Sequence, residues 1–308
     1  MSNRHLLSLG ELSSEELVEL LELGRHIKLY PRQYRETCKG QSLAMIFQKP
    51  SLRTRVSFEV GIYQLGGQGQ FLGPEDLQLH RGEAIADTGR VLSRYVDGIM
   101  ARVFRHSDLE GLAEHSEIPV INGLSDYLHP CQVLADLLTV MEKKETLRGL
   151  SLAYIGDGNN MSHSLMLGCS LAGISSTIAH PPGYAPKLEV VEKARALGAE
   201  TGATVTITED PSAAVSGVDL VYTDVWTSMG QEDEHIERLA RFQNYRVTPE
   251  LMARAAPDAL FMHCLPAHRG EEVSAAVIDG PQSVVFDQSE NRLHAQKAVM
   301  VRKMASRR

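Results

Sequence analysis

Several features that mark common classes of protein are scarce or missing in this chain. It has only four cysteines and no CxxC pair, which argues against a disulfide framework or a zinc site and predicts reduced thiols in a cytoplasmic protein. No apolar run reaches the roughly 18 residues needed to span a bilayer, and the polar N-terminal stretch does not resemble a secretion signal. The formal net charge of −8 argues against a general nucleic-acid surface. Any bound anion therefore needs a local basic pocket.

What the chain does contain is a regular alternation of strand-like and helix-like segments. Its 308 residues, 43% of them hydrophobic, suffice for two domains with cores of their own. The alternation predicts an α/β fold of two tandem domains, each with a parallel sheet flanked by helices. We place these domains at residues 1–144 and 145–308, and we expect the last helix, about 290–304, to pack back on the first domain. The predicted strands lie at 43–47, 70–72, 97–101, 118–121, 151–155, 176–179, 204–207, 220–223, 259–262 and 283–286.

The stretch Ser51–Arg55, with the sequence SLRTR, lies between the strand predicted at 43–47 and a helical pattern that begins near Arg55. Where a polar loop joins a strand to a helix, backbone N–H groups and the positive end of the helix dipole converge on an anion. The two arginines add guanidinium groups, which bind phosphate oxygens in a two-pronged fork. Short motifs of this kind also occur as solvated basic turns. On this stretch alone, both interpretations stand.

Two further positions in the first half are candidates for the same pocket. Arg102 directly follows the strand predicted at 97–101, and Gln78 lies in a polar loop at 78–81. Each has an ordinary alternative, because single arginines and polar loops are common on solvated surfaces.

The segment His129-Pro130-Cys131-Gln132 marks the start of a long helix. Proline suits the first helical position, so His129 is predicted at the N-cap and Gln132 in the first turn. The helix dipole favours the neutral imidazole, which can donate a hydrogen bond to a carbonyl oxygen. A histidine that only caps the helix is the alternative.

The loop that follows the strand predicted at 151–155 half-resembles a dinucleotide-binding fingerprint. It contains Gly156 and Gly158, but Met161 stands in place of the third glycine and no acidic residue closes the next strand. In such proteins the third glycine lets the helix pack closely on the strand, and the acidic residue binds the ribose of the cofactor. We interpret the loop as a turn that presents the amide side chains of Asn159 and Asn160.

Two polar clusters follow later strands of the second half. Asp224 precedes a flexible Ser228-Met229-Gly230 loop, and a carboxylate in this position suits a cationic ligand resembling an amino acid. Cys264 follows the strand predicted at 259–262, although an isolated cysteine is usually a small buried hydrophobe. Arg292, at the start of the last helix, offers one more guanidinium group.

As a set, these clusters resemble the ornithine carbamoyltransferases of the aspartate/ornithine carbamoyltransferase family, in the family's order and over nearly the whole chain. The Asp224 and Ser228–Gly230 cluster and the His263–Pro266 cluster separate ornithine enzymes from aspartate enzymes. The resemblance implies carbamoyl transfer from carbamoyl phosphate to L-ornithine, giving L-citrulline, without a metal or organic cofactor. It also implies a cytoplasmic homotrimer, or an assembly of trimers, with active sites at subunit interfaces.

The resemblance further assigns residues to the two substrates. The carbamoyl phosphate set that it implies is Ser51, Leu52, Arg53, Thr54, Arg55, Gln78, Arg102, His129, Gln132, Cys264, Leu265 and Arg292. The ornithine set is Asn160, Asp224, Ser228, Met229, Cys264 and Leu265, and the implied catalytic residues are Arg53, Thr54, Arg102, His129 and Cys264.

The sequence leaves three alternatives open. The Pro50-Ser51-Leu52 sequence resembles the acetylornithine branch at this loop, so N-acetylornithine and putrescine are alternative acceptors. A nicotinamide-dependent oxidoreductase is suggested by the glycines of the 156–160 loop. A catalytically silent relative is the third.

Overall fold

The chain forms two compact α/β units. The computed structural model describes residues 4–77, 82–227 and 232–305. One unit consists of residues 1–138 together with 290–308, and the other of residues 139–289. Within the described ranges, none of the helices combines the length and apolar character that a membrane crossing requires.

The first unit is built on a four-stranded parallel sheet. Its strands are β1 (Ser42–Phe47), β2 (Gln68–Leu72), β3 (Gly98–Arg102) and β4 (Val120–Leu124), in the spatial order β2-β1-β3-β4. Its helices are α1 (Ser14–Leu29), α2 (Leu52–Gln64), α3 (Ile85–Tyr95) and α4 (His106–Glu114), followed by α5 (Pro130–Lys144), which continues past the division at residue 138. The central strand β3 is buried over its full length, as expected for a parallel sheet covered on both faces.

The second unit is built on a five-stranded parallel sheet. Its strands are β5 (Ser151–Ile155), β6 (Ser175–Ala179), β7 (Val205–Thr208), β8 (Leu220–Thr223) and β9 (Leu260–His263), in the order β7-β6-β5-β8-β9. Its helices are α6 (Asn160–Ala172), α7 (Leu188–Thr201), α8 (Pro211–Val215), α9 (His235–Phe242), α10 (Pro249–Met252) and α11 (Ala275–Ile278). The last helix, α12 (Val285–Met304), begins in this unit and ends in the first.

Both sheets have a point at which the strand order reverses, and ligands bind at such points in open α/β folds. In the first sheet it lies between β1 and β3, whose carboxyl ends meet where Phe47 pairs with Arg102. In the second sheet it lies between β5 and β8, and Thr223 of β8 is in register with Ile155 of β5 and His263 of β9. The loops with candidate residues therefore start side by side in each unit.

The C-terminal part of α12 packs on other elements of the first unit, as the sequence predicted. The predicted fold class is confirmed. The side-chain amide of Gln41 donates to the Met304 carbonyl at 3.1 Å. The ammonium group of Lys28 donates to Asn291 Oδ1 at 2.9 Å. Residues 290–304 thus belong to the same compact unit as the first 138 residues.

The strand predicted at 283–286 is wrong. Helix α12 begins at Val285, and Ser283 forms only an isolated parallel bridge with Phe261. Phe286 is 71% exposed, which a strand inside a covered parallel sheet would not allow. A four-residue apolar run has too little periodicity to separate a strand from the first turn of a helix.

Candidate active site

The loop after β1 forms the N-terminus of α2, earlier than the predicted start near Arg55. Ser51 is the N-cap, and its hydroxyl accepts a hydrogen bond from the Thr54 N–H at 3.3 Å. Serine is preferred here because its side chain satisfies an N–H that has no partner within the helix. Arg53 and Thr54 consequently lie in the first turn of α2, at the positive end of the helix dipole.

Arg292 of α12 holds this first turn together with the start of α5. Its guanidinium donates to Thr54 Oγ1 at 3.1 Å and to Gln132 Oε1 at 2.7 Å. Gln132 in turn donates to Asp136 Oδ1 at 2.8 Å, and all four side chains are buried. Because the Thr54 oxygen accepts from an arginine, its own hydroxyl proton is directed to another acceptor.

His129 lies among three positive charges in the first unit. Burial, followed by the charges of Arg292, Arg102 and Arg53, lowers its pKa well below the ordinary 6.5. The imidazole is therefore neutral at pH 7. The neutral form agrees with the helix-start interpretation, but the causes are burial and the arginines rather than the helix dipole. The charges of the three arginines act on the same buried imidazole, and such a concentration of guanidinium groups suits an anion.

Two described residues of the proposed carbamoyl phosphate set, Arg55 and Leu52, have other surroundings. The Arg55 guanidinium stacks on Phe71, 3.8 Å from the ring centroid, and its Nε lies 3.4 Å from Glu59 Oε2. The Leu52 side chain is exposed. Gln78 lies outside the described residues.

In the second unit, Asp224 gathers groups from three loops. The Cys264 thiol lies 3.0 Å from Asp224 Oδ1, to which it donates, and the Asn159 amide donates to Asp224 Oδ2 at 3.3 Å. Asn159 is also the N-cap of α6, where its side-chain oxygen accepts from the Met161 and Ser162 N–H groups. Asn160, which the resemblance singled out, is the first residue of that helix. Ser228 and Met229 lie outside the described residues.

The loop that carries Cys264 is fixed by a buried histidine and a buried glutamate. The Leu265 N–H donates to His263 Nδ1 at 2.8 Å, so the ring carries its proton on Nε2. That nitrogen lies 3.2 Å from Glu272 Oε1. The two side chains together set the backbone direction at Cys264 and Leu265.

One group of side chains beside the proposed ornithine residues has a spacing that suits a metal ion. The ligand atoms of Asp224, His263 and Cys264 lie within 4.8 Å of one another. However, both ring nitrogens of His263 already face the Leu265 N–H and the Glu272 carboxylate. This group therefore lacks an imidazole lone pair directed at the space between the three residues.

The 156–160 loop is not built for a dinucleotide. A side chain at Gly158 would collide with the backbone of residues 184–186, and the Gly158 N–H donates to the Tyr184 carbonyl at 2.9 Å. In the fingerprint, glycine gives the backbone close access to a pyrophosphate. Here it gives close access to another segment of the protein.

Several contacts that organise these clusters were not predicted from the sequence. Asn159 was expected to present its amide from the turn, but its place as the N-cap of α6 was not predicted, although asparagine before a helical run is a typical N-cap. Asp136 could have been found four residues beyond Gln132 on the same helix. Arg238 could not: it donates to Asp157 at 2.7 Å and to the Trp226 carbonyl at 2.9 Å. Neither contact follows a local sequence pattern.

Comparisons with known proteins agree over the full length. The carbamoyl phosphate-binding domain of aspartate/ornithine carbamoyltransferases matches residues 4–142, and their Asp/Orn-binding domain matches residues 148–302. An ornithine carbamoyltransferase of Thermococcus kodakarensis is 55% identical over 302 residues, which are 97% of this chain and 96% of that protein. An anabolic ornithine carbamoyltransferase of Pyrococcus furiosus is 52% identical over 97% of this chain and 96% of its own length. The solved structure of the ornithine carbamoyltransferase from Pyrococcus furiosus superposes with a TM-score of 0.96 at 51% identity, covering 100% of this chain and 99% of that one.

Proposed function

The chain belongs to the aspartate/ornithine carbamoyltransferase family, and we propose that it transfers the carbamoyl group of carbamoyl phosphate to the δ-amine of L-ornithine. The products are L-citrulline and phosphate, as in a step of arginine biosynthesis. The observation that carries this proposal is the group of three arginines around a buried, neutral His129. Such a site offers positive charge to a phosphate and a neutral hydrogen-bond donor to a carbonyl oxygen.

The first domain, residues 1–144, binds carbamoyl phosphate in this proposal. Arg53, Arg102 and the N-terminus of α2 hold the phosphate group, and Arg292 keeps Thr54 and Gln132 in place through its two hydrogen bonds. The remaining members of the set are Ser51, Leu52, Arg55, Gln78, His129, Cys264 and Leu265. Arg55 contributes least to binding, because its guanidinium is engaged by Phe71 and Glu59.

The second domain, residues 145–308, binds ornithine. Asp224 pairs with the α-amino group, and the adjacent amides of Asn159 and Asn160 hold the same end of the substrate. Ser228 and Met229 contact the α-carboxylate end, and Cys264 and Leu265 lie near the reacting δ-amine. Asn159 is added to the set because it donates directly to Asp224.

The chemistry is attack of an uncharged amine on the carbonyl carbon of carbamoyl phosphate. A δ-ammonium group resembles a lysine side chain, with a pKa of about 10.4 in water, so the site must favour the neutral amine by burial beside Cys264. The tetrahedral intermediate carries an oxyanion, which Arg102, His129 and the Thr54 hydroxyl stabilise. The bond between the carbonyl carbon and the phosphate oxygen then breaks, and the departing phosphate takes the proton that the attacking nitrogen loses. Arg53 and the helix N-terminus stabilise this phosphate, and holding both substrates in place supplies much of the rate.

The family relationship also supports proposals about the state of the protein. We infer a cytoplasmic homotrimer, or an assembly of trimers, in which Gln78 reaches the active site of a neighbouring subunit. The reaction needs no metal or organic cofactor, because the donors for the oxyanion and the phosphate are side chains and backbone groups of the protein.

The experiment that tests the function is a citrulline assay with four acceptors in parallel. Ornithine, N-acetylornithine, putrescine and aspartate are each supplied with carbamoyl phosphate, and carbamoylated product is measured. Turnover with ornithine alone supports the proposal in full. Turnover with N-acetylornithine or putrescine instead would support the carbamoyl phosphate site but overturn the assignment of Asp224 to the α-amino group of ornithine. A folded protein that is silent with all four is a catalytically inactive relative.

A further inference from the structure

A second group of potential metal ligands lies in the segment between β9 and α11, apart from the residues proposed for ornithine. His268, Glu271 and Glu272 each offer a ligand atom, and these atoms lie within 4.8 Å of one another. His268 Nδ1 is 3.7 Å from Glu271 Oε2 and 3.9 Å from Glu272 Oε2. The first residue of α9, His235, joins from the other side, with Nε2 4.0 Å from Glu271 Oε1.

Glu272 is the most informative member, because it is fully buried and its two oxygens are used unequally. Oε1 accepts a hydrogen bond from the backbone N–H of His268 at 2.6 Å and lies 3.2 Å from His263 Nε2. Oε2 is buried and accepts no hydrogen bond from any residue that the structure describes. A buried carboxylate oxygen of this kind is costly unless something positive pairs with it. The hydrogen bonds at Oε1 fix the carboxylate so that Oε2 faces His268.

His235 is oriented in the way expected of a metal ligand. Its Nδ1 lies 3.2 Å from Thr227 Oγ1, and its Nε2 faces Glu271. If Nδ1 carries the proton and donates it to the hydroxyl, Nε2 presents a lone pair to the group. Metal-bound histidines almost always use their other ring nitrogen in this way.

The nearby positive side chains do not neutralise the two glutamates. Arg269 forms a two-pronged ion pair with Asp279, at 2.7 and 3.0 Å. Arg246 donates from Nε to the backbone carbonyl of Glu271 at 2.8 Å. The two glutamates bring a formal charge of −2, which a divalent cation balances.

We propose that His268, Glu271, Glu272 and His235 form a binding site for a divalent transition-metal ion of the zinc type. In a tetrahedral zinc site with bonds of about 2.0 Å, neighbouring donor atoms are about 3.3 Å apart. The observed separations are 3.7, 3.9 and 4.0 Å. The side chains of His235, His268 and Glu271 are 41%, 50% and 29% exposed, so they have room to rotate toward the fixed carboxylate of Glu272. Two imidazoles select zinc, cobalt or nickel over magnesium and calcium, which prefer all-oxygen sites.

The site has a direct connection to the loop that carries Cys264. Glu272 contacts His263, and His263 Nδ1 accepts from the Leu265 N–H. A bound ion therefore holds the carboxylate that supports the His263 ring. The role is structural or regulatory, because the proposed transfer reaction uses none of the four ligands.

The test is a titration of the full-length, EDTA-dialysed protein with Co²⁺, followed by displacement with Zn²⁺. We expect one Co²⁺ per chain, visible absorption bands of a low-coordinate ion, and no sulfur-to-cobalt charge-transfer band. His268→Ala and Glu271→Gln should each weaken binding at least about tenfold. Both side chains are partly exposed, so their loss leaves the fold intact, which metal-free thermal unfolding verifies.

Two control variants make the outcome decisive. Cys264→Ser removes the ligand of the competing Asp224, His263 and Cys264 group, and His26→Ala removes an exposed histidine of α1. Both should bind Co²⁺ like the wild type. Three results would each overturn the site. The first is a charge-transfer band that disappears in Cys264→Ser, and the second is unchanged binding in His268→Ala and Glu271→Gln. The third is the absence of Co²⁺ binding by the wild type. None of these readouts depends on catalysis, so the proposed metal site can be refuted without refuting the proposed function, and the reverse.

Discussion

The burial of His129 makes the stability of the protein depend on pH in a defined direction. Its pKa in the folded chain lies well below 6.5, because of burial first and then because of Arg292, Arg102 and Arg53. In the unfolded chain the same imidazole takes up a proton as the pH falls through its ordinary value. The unfolded state then binds more protons than the folded state. Acid therefore removes stability, beginning near pH 6.5 and continuing down to the lowered pKa.

The magnitude follows from the protonation of the unfolded state. Between about pH 7.5 and about pH 5.5, an unfolded histidine with an ordinary pKa of about 6.5 goes from about one-tenth to about nine-tenths protonated. If His129 stays neutral in the folded state over this range, it alone removes about 1.4 kcal/mol of unfolding free energy. Other titrating groups add their own contributions, so the wild type must be compared with a variant that lacks this imidazole.

The assay is urea unfolding followed by far-ultraviolet circular dichroism, at fixed protein concentration and without substrates. His129→Asn keeps a polar side chain at the start of α5 but cannot titrate. Its loss of unfolding free energy between the two pH values should be smaller than that of the wild type by about 1.4 kcal/mol. His26→Asn, at an exposed position of α1, controls for removal of a histidine. If His129→Asn and the wild type lose the same amount, the imidazole is not held neutral in the folded protein.

Three further predictions concern charge and contact. Arg53→Ala should lower kcat/KM for carbamoyl phosphate about 100-fold by removing a charge-assisted phosphate contact. Arg55→Ala should cost clearly less, since that guanidinium stacks on Phe71, and equal losses in steady-state kinetics would contradict the assignment. Cys264→Ala should raise KM for ornithine about tenfold by removing the thiol that contacts Asp224. An equal change in KM for carbamoyl phosphate would count against its place beside the amine. Arg238→Met should destabilise the protein by about 3–5 kcal/mol in urea unfolding, because it leaves the buried Asp157 carboxylate without its partner. Adding Asp157→Asn should recover part of that loss, and no recovery would mean that the ion pair is not the cause.

Local sequence determined most of the strands and helices and the kinds of side chain that stand at their ends. The strands at Ser151–Ile155 and Leu220–Thr223 lie where their apolar runs predicted them. Ser51 caps α2, and α5 begins at Pro130, because capping and proline preferences act within a single turn. The strand predicted at 283–286 was wrong, because a run of four apolar residues has no distinct period. The family was likewise accessible, since its motifs are contiguous and keep their order along the chain.

Only the tertiary structure decided which of these chemical groups meet. Arg292 bonds to Thr54 across 238 positions, and Cys264 reaches Asp224 across 40. The sheet orders β2-β1-β3-β4 and β7-β6-β5-β8-β9 bring distant loops to one edge, and hydrophobic periodicity does not encode strand order. The same holds for Arg238 with Asp157 and for His235 with Glu271, which no motif connects. Local preferences act over a few residues, whereas contacts between loops depend on how whole strands and helices pack.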